Sequence, residues 1–317
     1  MKHFARFNAK VVVSWLGTLL MFVSLGFIAQ RLITGEIDFS LFASPWVVAG
    51  VAVLAIAEGF GILGASLNFR SLVRNISGVS VEAPLAVNVY SMANLYKYIP
   101  GSVVYVLGRN RLAVENDKLS HGKVLLSTFI EGVLFVAAAA VIALVCVFDH
   151  SVSYLDRTGA LSAVLPTLGL SVAVAGSLIY LFRSRVFLII GRLRANTELL
   201  RLPVLAKRLG CAVGLVTLWG STFLATVILL GHPASLDIAP TIIGLYLLSW
   251  LAGFLTPGAP SGIGIREAVM LMFLSDIVGE AVLLSAVVTH RAINIVGDVV
   301  AYGLALTYSK YSEHSSK

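Results

Sequence analysis

Long apolar runs recur along the whole chain, and they constrain its fold more than any other feature. A helix needs about 20 apolar residues to cross about 30 Å of hydrocarbon. Uninterrupted runs of about that length lie at 11–30, 46–66, 124–148, 160–182 and 210–230. Three further apolar stretches, 84–108, 238–275 and 281–308, contain Pro-Gly pairs or charged residues. Because lipid offers the backbone no hydrogen bonds, these runs predict an all-α bundle of about eight membrane segments.

The composition agrees with a chain whose solvent is mostly lipid. Hydrophobic residues make up 58% of the 317 residues and charged residues only 12%. The net charge of +7 is the kind of excess that nucleic-acid binders show, but here it is confined to loops between apolar runs, so we expect no nucleic-acid partner. No Ser-, Thr- or Pro-rich linker divides the chain, which predicts a single membrane domain over 1–317.

The distribution of basic residues predicts the orientation. With the N-terminus inside, 18 of the 23 Lys and Arg residues fall on the cytoplasmic side, whereas Arg31 and Arg157 fall on the other. This predicts a multi-pass protein of the inner (cytoplasmic) membrane with both termini in the cytoplasm. The first apolar run lacks a small-residue cleavage site, so we interpret it as an uncleaved span rather than a signal peptide.

Two segments of similar build interrupt the apolar sequence. The first is Lys97-Tyr98-Ile99-Pro100-Gly101-Ser102 running on to Gly108-Arg109, and the second is the stretch 255–267 around Pro257-Gly258. Proline removes a backbone donor and glycine relaxes the backbone, so each Pro-Gly pair predicts a break in a helix. Paired broken helices in a membrane protein point to a transport site.

The flanks of the two breaks predict hairpins that open to opposite sides. Both flanks of 84–108 are basic, so that stretch should enter from the cytoplasm and return to it. The flanks of 238–275 are acidic, and the number of membrane crossings before them places them on the outer side. This predicts a second re-entrant hairpin that opens to the outside. The two prolines lie 157 positions apart, about half the chain, as an inverted repeat would require. The halves otherwise match poorly, so the repeat stays a hypothesis.

Eight ionisable residues lie in or beside the apolar segments, where each charge costs about 3 kcal/mol on insertion scales. Four are basic and four acidic, so two interpretations stay open. In the first interpretation they line a functional path, and Glu58, Glu131 and Asp298 act in charge balance or as a proton relay. In the second they are ion pairs that hold helices together. The eight are Glu58, Lys97, Arg109, Glu131, Arg266, Glu267, Arg291 and Asp298.

The breaks also predict a site for an anionic group. A helix that restarts near Ser102 or Gly264 presents backbone N–H groups and a positive dipole end, and arginine grips phosphate bidentately. On the last helix Arg291 shares one face with Asn294 and Asp298. The glycines allow close approach of a ligand or, alternatively, of another helix. The predicted binding residues are Lys97, Pro100, Gly101, Arg109, Pro257, Gly258, Gly262, Gly264, Arg266, Glu267, Arg291 and Asn294.

Recognised catalytic motifs are missing from the sequence. It holds no nucleophile elbow, Walker loop or zinc-protease motif, and Cys146 and Cys211 lie in apolar runs. We therefore expect no enzyme activity, no metal and no cofactor. The segment 183–208 carries seven Lys and Arg residues, and it is interpreted either as a basic cytoplasmic loop or as an amphipathic helix on the inner surface.

The two interrupted segments resemble the signature segments of the lysylphosphatidylglycerol synthase transmembrane-region family, a flippase-like integral membrane domain. The resemblance rests on Lys97 to Gly101 with Gly108-Arg109, on Pro257-Gly258 with the run from Gly262 to Glu267, and on Arg291 with Asn294. It departs from the family at Ala259-Pro260-Ser261. The resemblance implies handling of a lipid or lipid-linked glycan by a member without the soluble synthase domain.

These observations predict a transporter that moves an anionic phospholipid or a polyprenyl-linked glycan intermediate between leaflets. Its expected partners are membrane lipids and enzymes that act on lipid-linked glycans, and the sequence does not indicate an oligomeric state. Two alternatives stay open. One is an intramembrane lipid-modifying transferase, or a subunit of a glycan or lipid assembly complex, with Glu267 or Asp298 as base. The other is a gradient-driven transporter of small solutes.

Overall fold

The structure is a computed structural model that describes residues 30, 44–98, 103–116, 118–158, 201–233, 235–256 and 260–315. Regular structure in these ranges is helical throughout. The predicted span 160–182, nearly all of 11–30 and most of the basic segment 183–208 lie outside the described residues. So do four residues of the predicted site, namely Pro100, Gly101, Pro257 and Gly258.

The described helices follow in this order. In the first half, α1 spans Pro45–Ser77, α2 Ala83–Leu95, α3 Val103–Arg109, α4 Arg111–Glu115 and α5 His121–Thr158. In the second half, α6 spans Leu202–Leu229, α7 Ala239–Leu255, α8 Ile265–Val278 and α9 Glu280–Ser315. Two short 3₁₀ turns lie at the interruptions, the first at Tyr96–Tyr98 and the second at Pro260–Gly262.

Four of the described helices, α1, α5, α6 and α9, are long and apolar enough to cross a membrane, and α7 is a shorter apolar helix. The chain is therefore an all-helical, multi-pass membrane protein. Large apolar side chains on these helices are exposed, including Ile56 and Phe60 on α1 and Val141 on α5. In lipid such exposure carries no hydrophobic penalty, because the acyl chains are as apolar as the side chains.

Proline marks where several of these helices begin. A proline stands in the first turn of α1, α2, α6 and α7, where its missing N–H is not needed and its fixed φ suits the helix. Helix α1 ends at Gly78, whose φ of 73° is left-handed and whose N–H donates to the Arg74 carbonyl. At both interruptions one helix ends before the Pro-Gly pair and another begins after it.

Helices α1 and α9 pack closely against each other. A Cβ atom at Gly297 would lie 2.7 Å from the Cβ of Glu58 and 3.0 Å from the Ala55 carbonyl oxygen. A Cβ atom at Gly59 would lie 3.2 Å from the Gly297 carbonyl oxygen. The two glycines thus let the backbones touch, as small residues do in membrane helix pairs.

Other helices pack against this pair and against one another. Helix α9 also contacts α2, α6 and α8, and α5 packs against α6 and α7. At the second interruption, a Cβ atom at Gly262 would lie 2.9 Å from the Gly253 Cα, and Gly262 has a φ of 69°. Gly262 therefore allows close approach of the backbone to α7. Of the two roles expected for the glycines, approach of a ligand or of another helix, this contact is the second.

Candidate binding cavity

The two interruptions meet in space. The first and second 3₁₀ turns lie against each other, although more than 160 residues separate them in sequence. Both turns also hydrogen-bond to side chains of α9. The described residues of the two interruptions, 96–98 and 260–262, therefore lie in one shared region.

Asp298 on α9 holds the first interruption. Its Oδ1 accepts a hydrogen bond from Asn94 Nδ2 at 2.6 Å, and its Oδ2 accepts one from Tyr98 Oη at 2.5 Å. Lys97 Nζ lies 2.7 Å from Oδ2. The carboxylate is 1% exposed, so it is a buried charge balanced by one cation and two neutral donors.

Arg291 holds the second interruption from the same face of α9. Its Nη1 donates to the Ser261 carbonyl oxygen at 3.4 Å and lies 3.6 Å from Glu267 Oε1. The other oxygen of Glu267 accepts the Gly264 N–H at 2.7 Å. A carboxylate of the chain itself thus occupies the anion-favouring position at the start of α8, so that N–H group is not available to a ligand. Arg291 Nη2 is buried and has no hydrogen-bond partner among the described residues.

Arg266 is the least compensated cation of the region. Its Nη2 donates to Tyr246 Oη, and its guanidinium lies 4.6 Å from the centre of the Tyr246 ring. It is only 7% exposed, and in the described part of the chain Nε has no hydrogen-bond partner. Among the residues that the structure describes, no carboxylate forms an ion pair with it. Tyr246 Oη is held in turn by His290 Nε2 at 3.0 Å.

A cavity of about 450 Å³ lies between these groups. Its lining combines three cations, two carboxylates, and amide and hydroxyl groups with apolar and aromatic side chains. Lys97, Arg266, Arg291, Asn294, Gly262, Glu58 and Asp298 of the predicted site residues line it, together with Asn94, Tyr98 and Ser261.

Four aromatic residues of the lining form a continuous row of rings. Phe135 and Trp219 lie 5.2 Å apart between centroids, Trp219 and Trp250 6.0 Å, and Trp250 and Phe254 4.9 Å. Phe254 is 53% exposed although it also lines the cavity. Phe254 is therefore the exposed end of the row.

Glu58 lies in the cavity wall on α1. It is 3% exposed, and its Oε1 accepts a hydrogen bond of 2.6 Å from Thr222 Oγ1 on α6. In the described part of the chain it forms no ion pair. Glu58 and Arg266 are thus the two charged residues of the described cavity lining that have no ion-pair partner.

Arg109 and Glu131 lie apart from the cavity lining. They form a buried ion pair between α3 and α5, with Arg109 1% and Glu131 2% exposed. The rings of Phe69, Tyr90 and Tyr105 surround the guanidinium at 4.8, 4.1 and 4.4 Å. Since Tyr90 and Tyr105 also line the cavity, Arg109 contacts the cavity wall from behind.

Sequence reasoning singled out the charged residues and missed the aromatic ones. Tyr246, Trp219, Trp250 and Phe254 sit in apolar runs, where an aromatic side chain is most often ordinary core. Thr222 carried no signal either, since threonine in a membrane helix commonly bonds to its own backbone. Asn94 was not missed: Asn88, Ser91, Asn94 and Lys97 recur every third residue, a spacing that predicts a polar stripe ending at the first break, and Asn94 lies in the cavity lining.

The geometry suits an anion that carries an apolar part. Buried guanidinium groups with unused donors bind phosphate or carboxylate, and an aromatic wall binds apolar surface. In the described residues, no group of His, Cys, Asp and Glu side chains is arranged to hold a metal ion. No family model matches the chain, and no curated protein is similar to it.

Proposed function

We propose that the chain is a lipid transporter that moves an anionic phospholipid, or a polyprenyl-linked glycan intermediate, between the leaflets of the inner membrane. The observation that carries this proposal is the mixed lining of the cavity. It combines the cations Arg266 and Arg291 with the aromatic row that ends at the exposed Phe254. Such a lining suits a lipid, which has a charged headgroup and an apolar remainder.

Arg266 and Arg291 bind the phosphate in this proposal. Arg266 Nε and Arg291 Nη2 are buried donors without partners among the described residues, and a phosphate oxygen would satisfy both. Arginine is suited to this task because its planar fork matches phosphate geometry. Lys97, whose side chain is 28% exposed, adds a third positive group at the cavity.

The volume of the cavity favours a headgroup inside and acyl chains outside. About 450 Å³ is in the range of small-molecule pockets, about 300–1,000 Å³. The tails leave past Trp250 and Phe254 into the surrounding lipid. The row of rings thus serves as the path along which the apolar part slides.

The other predicted site residues act indirectly. Arg109 and Glu131 support Tyr90 and Tyr105 in the cavity wall, so Arg109 is a positioning residue here rather than a phosphate ligand. Glu267 and Asp298 balance Arg291 and Lys97. Gly262 and Gly264, with φ of 69° and 88°, shape the backbone of the second interruption. Pro100-Gly101 and Pro257-Gly258 lie outside the described residues, and in this proposal they serve as the helix breaks that the sequence predicts.

The finer topology is part of the proposal. It has about eight membrane segments, with the termini in the cytoplasm and two hairpins that open to opposite sides as an inverted repeat. The basic flanks of the first interruption and the acidic flanks of the second support it. Single cysteines introduced at Glu82 and at Asp237, after replacement of Cys146 and Cys211, test it. Labelling of both from the same side of the membrane would contradict it.

Lipid translocation is tested with the full chain in proteoliposomes. Fluorescent anionic phospholipid in the outer leaflet is reduced by a membrane-impermeant reagent, and the protected fraction reports transfer. We expect the wild type to exceed protein-free vesicles and Arg266→Ala to lose most of the transfer. Arg74→Ala is the matched control, because Arg74 is exposed and lies outside the cavity.

Three results would overturn the proposal or redirect it. Equal transfer by the wild type and Arg266→Ala, at the protein-free rate, excludes lipid transport. Formation of a new lipid species from a radiolabelled headgroup supports the transferase alternative. Uptake of a water-soluble anion with no effect on lipids supports the small-solute alternative. Copurification with enzymes of lipid-linked glycan assembly would favour the glycan intermediate as substrate.

A further inference from the structure

Glu58 is a buried carboxyl in the cavity wall that has no cationic partner among the described residues. Its one recorded hydrogen bond joins Oε1 to Thr222 Oγ1 at 2.6 Å. It is 3% exposed and lies beside the contact of Gly59 with Gly297, so the surrounding helices leave it little room to move. A carboxylate placed this way is costly unless it can take up a proton.

The hydroxyl of Thr222 can satisfy Glu58 in either protonation state. Thr222 Oγ1 also lies 2.9 Å from the Trp219 carbonyl oxygen, and a hydroxyl has a single proton to donate. When Glu58 is ionised, Thr222 donates to it. When Glu58 is protonated, its own O–H donates to Thr222 Oγ1, and Thr222 donates to the Trp219 carbonyl. Gain or loss of the proton therefore leaves both side chains hydrogen-bonded.

The charge of Glu58 sets the net charge around the cavity. Lys97 pairs with Asp298 and Arg291 with Glu267, which leaves Arg266 and Glu58. Ionised Glu58 makes the whole set neutral; protonated Glu58 leaves it with one positive charge. The charged groups facing Glu58 across the cavity are Lys97 from the first 3₁₀ turn, Arg266 from α8, and Arg291 and Asp298 from α9. Tyr246 of α7 and Tyr98 are the facing phenols, and α6 contributes Thr222.

We propose that Glu58 is a proton-binding site coupled to the anion site, so that one proton enters with each anionic headgroup and leaves with it. The inference rests on the proposed function and adds to it the coupling of headgroup transport to a proton. The proton comes from water and joins the Glu58 carboxylate; the headgroup then meets Arg266 without a competing negative charge. Because coupling is reciprocal, anion binding raises proton affinity by the factor by which protonation raises anion affinity.

The test uses the full chain in detergent with short-chain phosphatidylglycerol as the probe. Binding is measured between about pH 5 and about pH 9, a range wide enough for a buried glutamate. We expect affinity to fall as pH rises, by up to about tenfold per pH unit, and binding to take up at most one proton from a weakly buffered solution. Phosphatidylcholine of the same chain length is the neutral comparison.

Glu58→Gln removes the titrating group and keeps the hydrogen-bonding shape. We expect this variant to bind phosphatidylglycerol with an affinity independent of pH and to take up no proton. Glu82→Gln is the matched control, because Glu82 is exposed and does not line the cavity. It should behave as the wild type. Infrared difference spectra of the wild type should gain a protonated-carboxyl band on binding, and this measurement needs no variant.

The possible failures are distinct. Binding by the wild type without pH dependence and without proton uptake overturns the coupling and leaves lipid transport standing. Proton uptake by Glu58→Gln equal to that of the wild type also overturns the role of Glu58. Absence of phosphatidylglycerol binding at every pH overturns the proposed function and the coupling together.

Discussion

Lys97 Nζ and Asp298 Oδ2 lie 2.7 Å apart and join the first interruption to the last helix. The carboxylate side chain is fully buried, whereas 28% of the lysine side chain is exposed. The two partners therefore differ in what happens when the other is removed. Without its partner, the Lys97 ammonium can reorient toward water, whereas the buried Asp298 carboxylate cannot.

Lys97→Met should destabilise the protein more than Asp298→Asn. In Lys97→Met the buried Asp298 carboxylate keeps only two neutral donors, at a cost of about 3 kcal/mol. In Asp298→Asn the new amide is uncharged, and its oxygen still accepts a hydrogen bond from a neighbour. Thermal unfolding in detergent measures both changes. The double variant should be more stable than the sum of the single effects predicts, by about 1–3 kcal/mol.

The exposed pair of Arg111 and Glu115 is the control for this cycle. Their side chains are 49% and 32% exposed, so the same cycle should give a coupling of about 0.5 kcal/mol or less. A coupling between Lys97 and Asp298 no larger than this would show that the buried pair does not hold the first interruption.

Replacing Arg109 and Glu131 together tests the role of the buried pair behind the cavity. Each single change, Arg109→Met or Glu131→Leu, leaves one buried charge uncompensated and should cost about 3–5 kcal/mol. The double variant should regain much of the lost stability and keep lipid transfer. A stable double variant that transfers no lipid would show that transfer needs the charged pair itself, not only a filled space behind Tyr90 and Tyr105.

Gly297→Ala should separate α1 from α9. The new methyl group would lie 2.7 Å from the Glu58 Cβ, and relief of that contact requires movement of the backbone, at a cost of about 1–3 kcal/mol. Gly303→Ala on the same helix is the control, since a Cβ atom there meets nothing within 4 Å. It should stabilise the helix by about 0.5–1 kcal/mol. Equal unfolding temperatures for the two variants would contradict the close contact.

Phe254→Ala should weaken lipid binding without loss of stability. The side chain is 53% exposed, so little buried area is lost, but the ring forms the outer end of the aromatic row. We expect affinity for a long-chain anionic lipid to fall several-fold, and affinity for a headgroup with very short chains to stay unchanged. Phe60→Ala, which removes a ring that is 60% exposed and outside the cavity, is the control. An equal loss in both variants would argue against a tail path at Phe254.

Apolar run length predicted the all-helical membrane fold, because the demand for internal backbone hydrogen bonds leaves few other choices. The helix ends were less accessible to prediction. Helix α1 was expected to end near residue 66 but runs to Ser77, and α5 runs from His121 to Thr158 rather than from 124 to 148. Hydropathy registers where a helix is covered by lipid, not where its hydrogen bonds stop.

Charge in apolar sequence identified much of the candidate cavity, but it could not tell cavity from core. Arg109 and Arg266 have the same signature, a buried arginine beyond a Pro-Gly pair. One is paired with Glu131 behind the wall, and the other has no paired carboxylate among the described residues and lines the cavity. The difference depends on contacts between distant segments, which spacing along the chain does not encode. The aromatic row was missed for the same reason.

Arg291 and Asp298 lie seven residues apart on α9, about 10 Å along its axis, and each holds one interruption. A rotation of α9 about its axis would therefore disturb both interruptions in the same step. The contact with α1 at Gly59 makes such a rotation a movement of two helices rather than one. A change in the position of the last helix would thus alter the contacts of both interruptions together.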